Sequence, residues 1–260
     1  SAQLEALERG NFFVVPLDDK RHWYRYHQLF ADVLNAHLLA EQPDQVSTLH
    51  QRASAWYEHS GSTADAIRHA LSAKDFERAA GLVELALPDL RRNRQDAALL
   101  GWLKALPDTL LQCRPVLSAN YGGVLLASGE LEAVEERLQD AEQWLDMTAD
   151  RGQQPEAPTG ERVVVDEEAF RLLPGSIAVW RAGLALVLGD VTDTVKYARL
   201  ALELVPENDH LGQGGAAGLL GLAYWTSGEL ESAHRTFAEG MGTVQKAGHV
   251  SDTISGAIAL

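Results

Sequence analysis

Cysteine and basic residues are scarce in this sequence. Its single cysteine, Cys113, excludes a disulfide within the chain and favours a reducing compartment. The 22 Lys and Arg residues are outnumbered by 37 Asp and Glu residues, so the formal net charge is −15. A broad surface for nucleic acid or for an anionic membrane would have to form against this overall field. The composition therefore argues against both kinds of partner for this chain.

Long hydrophobic runs and a secretory signal are also missing. The most apolar stretch, residues 177–189, is interrupted by Arg181 and is too short to span a bilayer. The amino terminus has no signal-like pattern of charge followed by an apolar segment. We therefore expect a cytoplasmic protein.

The common catalytic and metal-binding motifs are absent as well. The sequence has no Gly-Lys dipeptide of a P-loop, no HExxH, no cysteine pair and no GxSxG. Cys113 lies in the apolar context LLQCRPVL, which favours packing over nucleophilic catalysis. Asp166, Glu167 and Glu168 are typical of a solvated helix start. The sequence thus predicts no enzyme, no catalytic residue, no metal site and no cofactor bound by this chain.

Apolar residues recur at helical spacing through most of the chain. Two such sets are Val191, Val195, Ala198, Leu202, Val205 and Leu230, Ala233, Phe237, Met241, Val244. Steps of three and four place each set on one face of an amphipathic helix. Asp190 and Ser62 precede such segments and can cap the free amides of a first turn. The pattern predicts short, capped helices.

These helices form repeats. Residues Leu220, Gly221, Tyr224, Gly228, Ala233 and Phe237 follow the tetratricopeptide spacing. In that spacing a large and a small residue on one helix face Ala and Phe on the next across a glycine-bearing turn. Weaker copies surround Gly61, Gly129 and Gly189. A further copy is predicted as a helix over 75–87, a polar turn at 91–93 and a helix over 95–106.

The spacing predicts an all-α fold, a tetratricopeptide-like right-handed α-solenoid over residues 44–260. The Pro-, Gly- and charge-rich segment at about 149–166 is predicted to be a loop. The closing residues TISGAIAL resemble the first half of another apolar helix, so we expect the array to continue beyond this chain.

Residues 1–43 have a different pattern. A helix over 2–9 is followed by two aromatic and β-branched runs around the turn Leu17-Asp18-Asp19-Lys20, which predicts a β-hairpin. A helix over 28–39 comes next. Helix, hairpin and helix in this order are typical of the carboxyl-terminal part of a winged-helix domain.

The stretch LEALERGNFFVVPLDDKRHWYRYHQLFADVLNAHL carries a family resemblance. It is similar to the end of the winged-helix module of the large ATP-binding LuxR-type transcription regulators, in which a tetratricopeptide-like arm follows directly. The resemblance covers the whole chain, and WYRYHxLFADVL is its specific part. It implies a nucleotide-binding domain before this segment, a sensor arm within it and a LuxR-type DNA-binding domain after it. ATP or ADP would then be a cofactor of the full-length protein only.

The same resemblance gives His27 a role. Related switch ATPases have a Met-His-Asp motif whose histidine contacts the β-phosphate of ADP, and by resemblance His27 would be the nucleotide sensor. An imidazole at a helix amino terminus is a suitable hydrogen-bond donor to a phosphate. Tyr26 and Gln28 replace the Met and Asp of the motif. The alternative is that Trp23, Tyr24, Tyr26 and His27 fill the core between the hairpin and the helix.

The inner face of the repeats offers candidate ligand-binding residues. They are Asn120, Trp180, Arg181 and Trp225, which lie among small apolar residues on the predicted first helices of the repeats. Tyr121 and Tyr224 share that face, but Tyr224 is a repeat-core position by its spacing. A guanidinium in apolar surroundings needs an anionic or carbonyl partner. Alternatively, Trp180 packs between repeats and Arg181 pairs with an acid such as Glu203.

Two functions fit these observations. The first is the sensor arm of a bacterial transcription activator that binds a small-molecule inducer or a regulatory protein. The second is an interaction scaffold whose groove holds a peptide or helix. The small number of charges on the Gly- and Ala-rich helices favours the first. Self-association with a second copy of the chain is a further expectation. DNA would be contacted only through a domain outside this chain.

Overall fold

The computed structural model describes residues 2–10, 12–149 and 161–248. The regular secondary structure of these residues is helical apart from one two-stranded antiparallel sheet, which confirms the predicted all-α class with a short hairpin. The chain divides into two compact units, Ser1–Asp75 and Phe76–Leu260. The expected continuation of residues 253–260 into a further helix lies outside the described residues. The right-handed sense of the solenoid stays a prediction.

The first unit contains the predicted helix, hairpin and helix, followed by a helical pair. Its elements are α1 (Ala2–Arg9), β1 (Val14–Pro16), β2 (Tyr24–Tyr26), α2 (Gln28–Glu41), α3 (Pro43–His59) and α4 (Thr63–Ser72). In the hairpin, Val14 lies opposite Tyr26 and Pro16 opposite Tyr24. The Asp18 carboxylate closes the loop by accepting hydrogen bonds from the backbone amides of His22 and Trp23, each at 2.9 Å. The predicted domain boundary at residues 43 and 44 falls in the first turn of α3, inside this unit, and stays a prediction.

The second unit is built from helical pairs. Its helices are α5 (Phe76–Arg92), α6 (Asp96–Lys104), α7 (Asp108–Gln112), α8 (Pro115–Ser128), α9 (Val134–Ala149), α10 (Glu167–Val187), α11 (Val191–Leu204), α12 (His210–Thr226) and α13 (Leu230–Lys246), with a 3-10 turn at Leu131–Ala133. Helix α8 packs on α9, α10 on α11 and α12 on α13, and α10 also contacts α8 and α12. This is the arrangement that the repeat spacing predicts.

The repeat spacing is visible where α12 crosses α13. A methyl group added at Gly221 would lie 2.8 Å from the Cβ atom of Phe237, so the small residue and the large one meet as predicted. Gly214 and Gly240 allow a similarly close approach, because a Cβ at Gly214 would lie 2.8 Å from the Gly240 carbonyl oxygen. Small residues thus set the separation of these two helices.

Helix α5 is longer than predicted. Helix α5 was expected to end at residue 87, but it continues through Pro88 to Arg92. The turn that was predicted at 91–93 lies at residues 93–94, with a φ of 52° at Arg94. A proline weakens a helix because it lacks an amide hydrogen, but Leu87 and Leu90 are buried on either side of it and hold the last turns in place. Sequence pattern alone therefore ends this helix too early.

Helix α10 has 21 residues and includes the apolar stretch that seemed too short for a membrane span. Among the described residues it is the one helix long and apolar enough to cross a bilayer. Within the protein, 44% of its apolar 18-residue stretch is buried. Its contacts with α8, α11 and α12 are those of a core helix.

The predicted turns and one of the two predicted caps are confirmed. Gly129, Gly189 and Gly228 have φ values of 78° or 79°, in the left-handed region that favours glycine. The Asp190 carboxylate accepts a hydrogen bond from the backbone amide of Asp193 at 2.9 Å. Ser62 occupies the capping position of α4 but makes no side-chain capping bond.

Two glycine substitutions should have opposite effects on stability. Gly189→Ala places a side chain at a φ of 79° and should lower the free energy of unfolding by about 1 kcal/mol. Gly242 lies inside α13, and a Cβ added there meets no atom within 4 Å. Gly242→Ala should therefore raise the free energy of unfolding by about 0.5–1 kcal/mol. Urea denaturation of both variants measures the effects, and equal signs would contradict this assignment of the turn.

A histidine pair lies in the first unit. The Nδ1 atoms of His50 and His69 are 2.8 Å apart, so one must donate its proton to the other. Tyr57 stacks on His69, with ring centroids 5.3 Å apart. Burial, followed by the charges of His50 and Arg68, lowers the pKa of His69 below its usual 6.5.

The His69 environment predicts that the first unit loses stability in acid. Because the folded-state pKa is lowered, the stabilising contribution is complete above pH 6.5 and is lost as the pH falls through the folded-state value. We expect urea denaturation between about pH 7.5 and pH 5 to show a steeper loss of stability for the native chain than for His69→Gln. His59→Gln, at an exposed position, is the control and should keep the native pH dependence. Parallel curves for the native chain and His69→Gln would contradict this role.

Candidate functional site

The second unit contains a cavity of about 170 Å³. Its walls come from α5, α8, α10 and the connection between α11 and α12. The apolar side chains that line it are Leu87, Pro88, Ala169, Leu172, Leu173, Val205 and Pro206. The polar ones are Glu84, Arg91, Asn120, Asp166, Ser176 and Asp209. A cavity that combines apolar walls with convergent polar groups is a common form of a small-molecule site.

The buried carboxylate of Glu84 joins three parts of the wall. Its Oε1 atom accepts hydrogen bonds from the backbone amides of Val165, at 2.8 Å, and Asp166, at 3.4 Å. Its Oε2 atom lies 3.5 Å from the guanidinium of Arg114, which also pairs with Glu77 at 2.8 Å. Burial raises the pKa of Glu84, while these hydrogen bonds and the Arg114 charge act in the opposite direction. Glu84 thus has partners for both carboxylate oxygens.

Two aspartates at the cavity cap helices. Asp166 begins α10 and accepts hydrogen bonds from the amides of Glu168 and Ala169, both at 3.0 Å, which confirms the predicted acidic helix start. Asp209 begins α12 and accepts from the amide of Gly212 at 2.9 Å. Each carboxylate lies at the positive end of a helix dipole, which offsets part of its charge.

Neutral polar groups also face the cavity. Asn120 is buried on α8, and its Nδ2 atom donates to the Val116 carbonyl oxygen at 2.8 Å. Within the described ranges, the Asn120 Oδ1 atom and the Ser176 hydroxyl have no hydrogen-bond partner. Both groups are therefore available to a bound molecule.

Arg91 lies on the last turn of α5, at the open side of the cavity. Its guanidinium carbon is 5.9 Å from the ring centroid of Trp180, and it forms no hydrogen bond or ion pair with any described residue. The side chain is exposed. Desolvation of the guanidinium by the surrounding walls lowers the pKa of Arg91, whereas the charges of Asp209 and Asp96 raise it. Arg91 is therefore a cation without a direct counter-ion among the described residues.

Trp180 was predicted to face the ligand groove or to pack between repeats, and the structure shows a packing contact with α8 and a contact with Arg91. A Cβ atom added at Gly123 of α8 would lie 2.5 Å from the Trp180 ring, so the indole fills the space that this glycine leaves. The same ring contacts Arg91. Asn120 and Trp180 are thus the two predicted residues that the structure brings to the cavity and its rim.

Arg181 has other partners. Its guanidinium bonds the carboxylates of Glu142, at 2.7 Å, and Glu135, at 2.9 Å, both on α9. Hydrogen bonding to Glu142 raises the pKa of Arg181. The sequence suggested an internal pairing with an acid such as Glu203, and the acids found are two residues of the preceding repeat. Its two ion pairs occupy Arg181 outside the cavity.

The remaining aromatic candidates lie apart from the cavity. Trp225 is 62% exposed and lines a second pocket, of about 310 Å³, with Leu222, Leu230 and Phe237. Tyr224 packs against the buried cluster of Ala182, Ala198 and Leu220, in keeping with a repeat-core position. Tyr121 contacts Arg137, whose guanidinium carbon is 5.9 Å from its ring centroid.

His27 is the residue immediately before α2. Its backbone carbonyl oxygen accepts from the amides of Phe30 and Ala31, and its own amide donates to Phe13 at 2.7 Å. The imidazole is exposed and makes no capping bond, whereas Trp23 packs on Trp56. The nucleotide-sensing role of His27 stays a prediction.

Sequence analysis missed the charged part of the cavity. Arg91 was assigned to a polar turn because the helix was predicted to end at residue 87, whereas α5 continues to Arg92. Glu84 and Asp209 gave no signal, since single acids on helical segments are usually solvated. Among the residues that the structure describes, no group of three or more His, Cys, Asp or Glu side chains could hold a metal ion.

Replacing Arg181 should affect stability. Arg181→Met leaves two carboxylates of α9 without their cation, and because these are partly exposed we expect a loss of about 2 kcal/mol in the free energy of unfolding. Arg171→Met is the matched control on the same helix, because Arg171 is 73% exposed, and it should change stability by less than about 0.5 kcal/mol. Denaturant unfolding measures both. Equal losses would contradict a structural role for Arg181.

Comparisons with known proteins support the predicted resemblance. Residues 1–46 match the family model of the MalT winged helix domain. The chain is 26% identical over 231 residues to the HTH-type transcriptional regulator MalT of Serratia proteamaculans, which covers 89% of this chain and 24% of the regulator. It is 28% identical over 230 residues to MalT of Yersinia pestis, again covering 24% of that protein.

A kinase also carries a similar segment. The serine/threonine-protein kinase PknK of Mycobacterium tuberculosis is 34% identical over 148 residues, which is 54% of this chain and 13% of the kinase. No solved structure matches the chain. The chain therefore spans about a quarter or less of the length of these relatives. Its amino-terminal 46 residues match a MalT-type winged-helix domain, and nearly all of the chain is similar to MalT regulators, which confirms the resemblance to the LuxR-type group.

Proposed function

We propose that this chain is the sensing segment of a LuxR-type, ATP-dependent transcription regulator and that its helical repeats bind a small-molecule inducer. Residues 1–43 would be the end of the winged-helix domain and residues 44–260 the sensor arm. Similarity to regulators named as transcriptional, over 88% or more of the chain, supports a regulatory role rather than a catalytic one. The similar segment in a kinase fits a module that is shared by different regulated proteins.

The observation that carries the proposal is the cavity that contains Arg91, Asn120 and Ser176. It is small, about half of its lining residues are apolar, and it is supplied with one cation, one amide and one hydroxyl that lack full partners among the described residues. A volume of about 170 Å³ suits a small molecule, whereas a peptide-binding groove is usually an open trough. The cavity is formed by helices of at least three repeats, so a ligand there can influence how the repeats pack.

The remaining parts of the proposal concern the full-length regulator. His27 would contact the phosphate of bound ADP, and DNA would be bound by a domain outside this chain. The regulator would act in the cytoplasm, where its DNA is. The position of the exposed imidazole at the start of α2 is compatible with a phosphate contact at a helix amino terminus.

A second candidate function is an interaction scaffold. The pocket of about 310 Å³ beside Trp225 is lined by Leu222, Leu230 and Phe237, and its exposed apolar side chains suit a helix or peptide. The two candidates therefore use different tryptophans. Trp180 belongs to the cavity rim, and Trp225 to the second pocket.

A matched pair of tryptophan variants tests the proposal. A thermal-shift screen of small metabolites against the native chain should give hits whose shift weakens in Trp180→Phe, because the indole that contacts Arg91 is lost, with affinity falling by roughly fivefold. Trp225→Phe, the same substitution outside the cavity, should leave the shift unchanged. Circular dichroism confirms that both variants are folded.

Two outcomes of this screen would contradict the proposal. Hits that depend on Trp225 and not on Trp180 would move binding to the second pocket and favour the scaffold. A complete absence of hits would contradict the small-molecule sensor.

A further inference from the structure

We propose that the cavity binds a small monocarboxylate with an apolar body and that Arg91 holds the carboxylate group. This inference rests on the proposed sensing function and specifies the chemical class of the ligand. It follows from the charges at the cavity, its volume and the character of its walls.

Charge comes first. Glu84 is satisfied by two backbone amides and Arg114, and the carboxylates of Asp166 and Asp209 each accept backbone amides at a helix start. Arg91 alone among the charged lining residues has no hydrogen bond or ion pair with a described residue. A guanidinium at the edge of an apolar cavity is stabilised most by a planar carboxylate, which can accept two parallel hydrogen bonds.

A ligand with one negative charge fits better than one with two. The carboxylates of Asp166 and Asp209 line the same cavity, and only part of their charge is offset by the helix dipoles. A second anionic group on the ligand would approach these aspartates, and like charges repel strongly where water is partly displaced. A dicarboxylate or a doubly charged phosphate ester is therefore disfavoured.

The size of the cavity limits the body of the ligand. A protein cavity of about 150 Å³ accommodates a benzene molecule, and this cavity measures about 170 Å³. Leucine, valine and proline side chains form much of its wall, so the body of the ligand should be apolar. Asn120 and Ser176 could accept or donate one further hydrogen bond each, for example to a single carbonyl or hydroxyl group.

Trp180 completes the arrangement around Arg91. The indole lies 5.9 Å from the guanidinium carbon, which limits the movement of the guanidinium on that side. The hydrogen-bonding edge of the guanidinium has no described partner and can meet a carboxylate at the mouth of the cavity.

Calorimetric titration with paired probes tests this inference. Benzoate and phenylacetate carry the proposed charge, and benzamide and phenylacetamide have nearly the same shape without it. We expect the carboxylates to bind the native chain with a Kd below about 1 mM and the amides to bind at least about tenfold more weakly. Phenyl phosphate, with its higher charge, should also bind more weakly than benzoate.

Neighbouring arginines provide the matched variants. Arg91→Gln should weaken benzoate binding by about tenfold or more, whereas Arg92→Gln should leave it unchanged because Arg92 is 69% exposed and pairs with Asp89 at 3.2 Å. Circular dichroism and thermal unfolding establish that both variants are folded. Arg91→Lys keeps the charge but loses the planar fork, and intermediate affinity is expected.

Failure of this inference and failure of the proposed function give different results. If metabolites bind in a Trp180-dependent manner while carboxylates and amides bind equally, or Arg91→Gln has no effect, the sensing function stands and the monocarboxylate class is wrong. If no carboxylate binds and the metabolite screen is also empty, both are wrong. Benzoate binding that Arg91→Gln abolishes and Arg92→Gln does not supports both.

Discussion

The arrangement of the candidate site depends on the buried carboxylate of Glu84. Its two oxygens bond to the segment that enters α10, 81 residues further along the chain, and to Arg114, the capping residue of α8. Hydrogen bonds to a charged group are stronger than neutral ones, and an unpaired buried carboxylate would be costly. Glu84 therefore fixes α5, α8 and α10 with respect to one another. The cavity lies where these three helices meet, and Arg91 follows Glu84 by two helical turns on α5.

Much of the fold was predictable because local chemistry and burial agree. The turn glycines, the Asp190 cap and the Gly221–Phe237 contact are consequences of backbone geometry and side-chain size, which a sequence records directly. Helix lengths were less predictable. Pro88 and Pro174 lie inside α5 and α10, where burial of neighbouring apolar residues outweighs the lost backbone hydrogen bond, and burial is a tertiary property.

The site was predicted only in part. Asn120 and Trp180 stood out because polar-tipped residues among Gly and Ala are unusual, and both lie at the cavity or its rim. The same reasoning selected Arg181, whose ion pairs with Glu135 and Glu142 come from another helix and have no sequence signature. Arg91 was overlooked since a misplaced helix end put it in a turn. For a charged residue, the presence or absence of a nearby opposite charge decides between a structural role and a binding role, and only the fold reveals it.

Hydrogen exchange measured by mass spectrometry on the chain, with and without saturating benzoate, tests the central claim most directly. A ligand held among α5, α8 and α10 should slow exchange in peptides that cover residues 84–92, 116–124 and 165–176, because opening of the Glu84-linked walls becomes less favourable. Peptides from 230–246 and from the first unit should be unaffected. Slower exchange around Trp225 with no change at residues 165–176 would contradict the account.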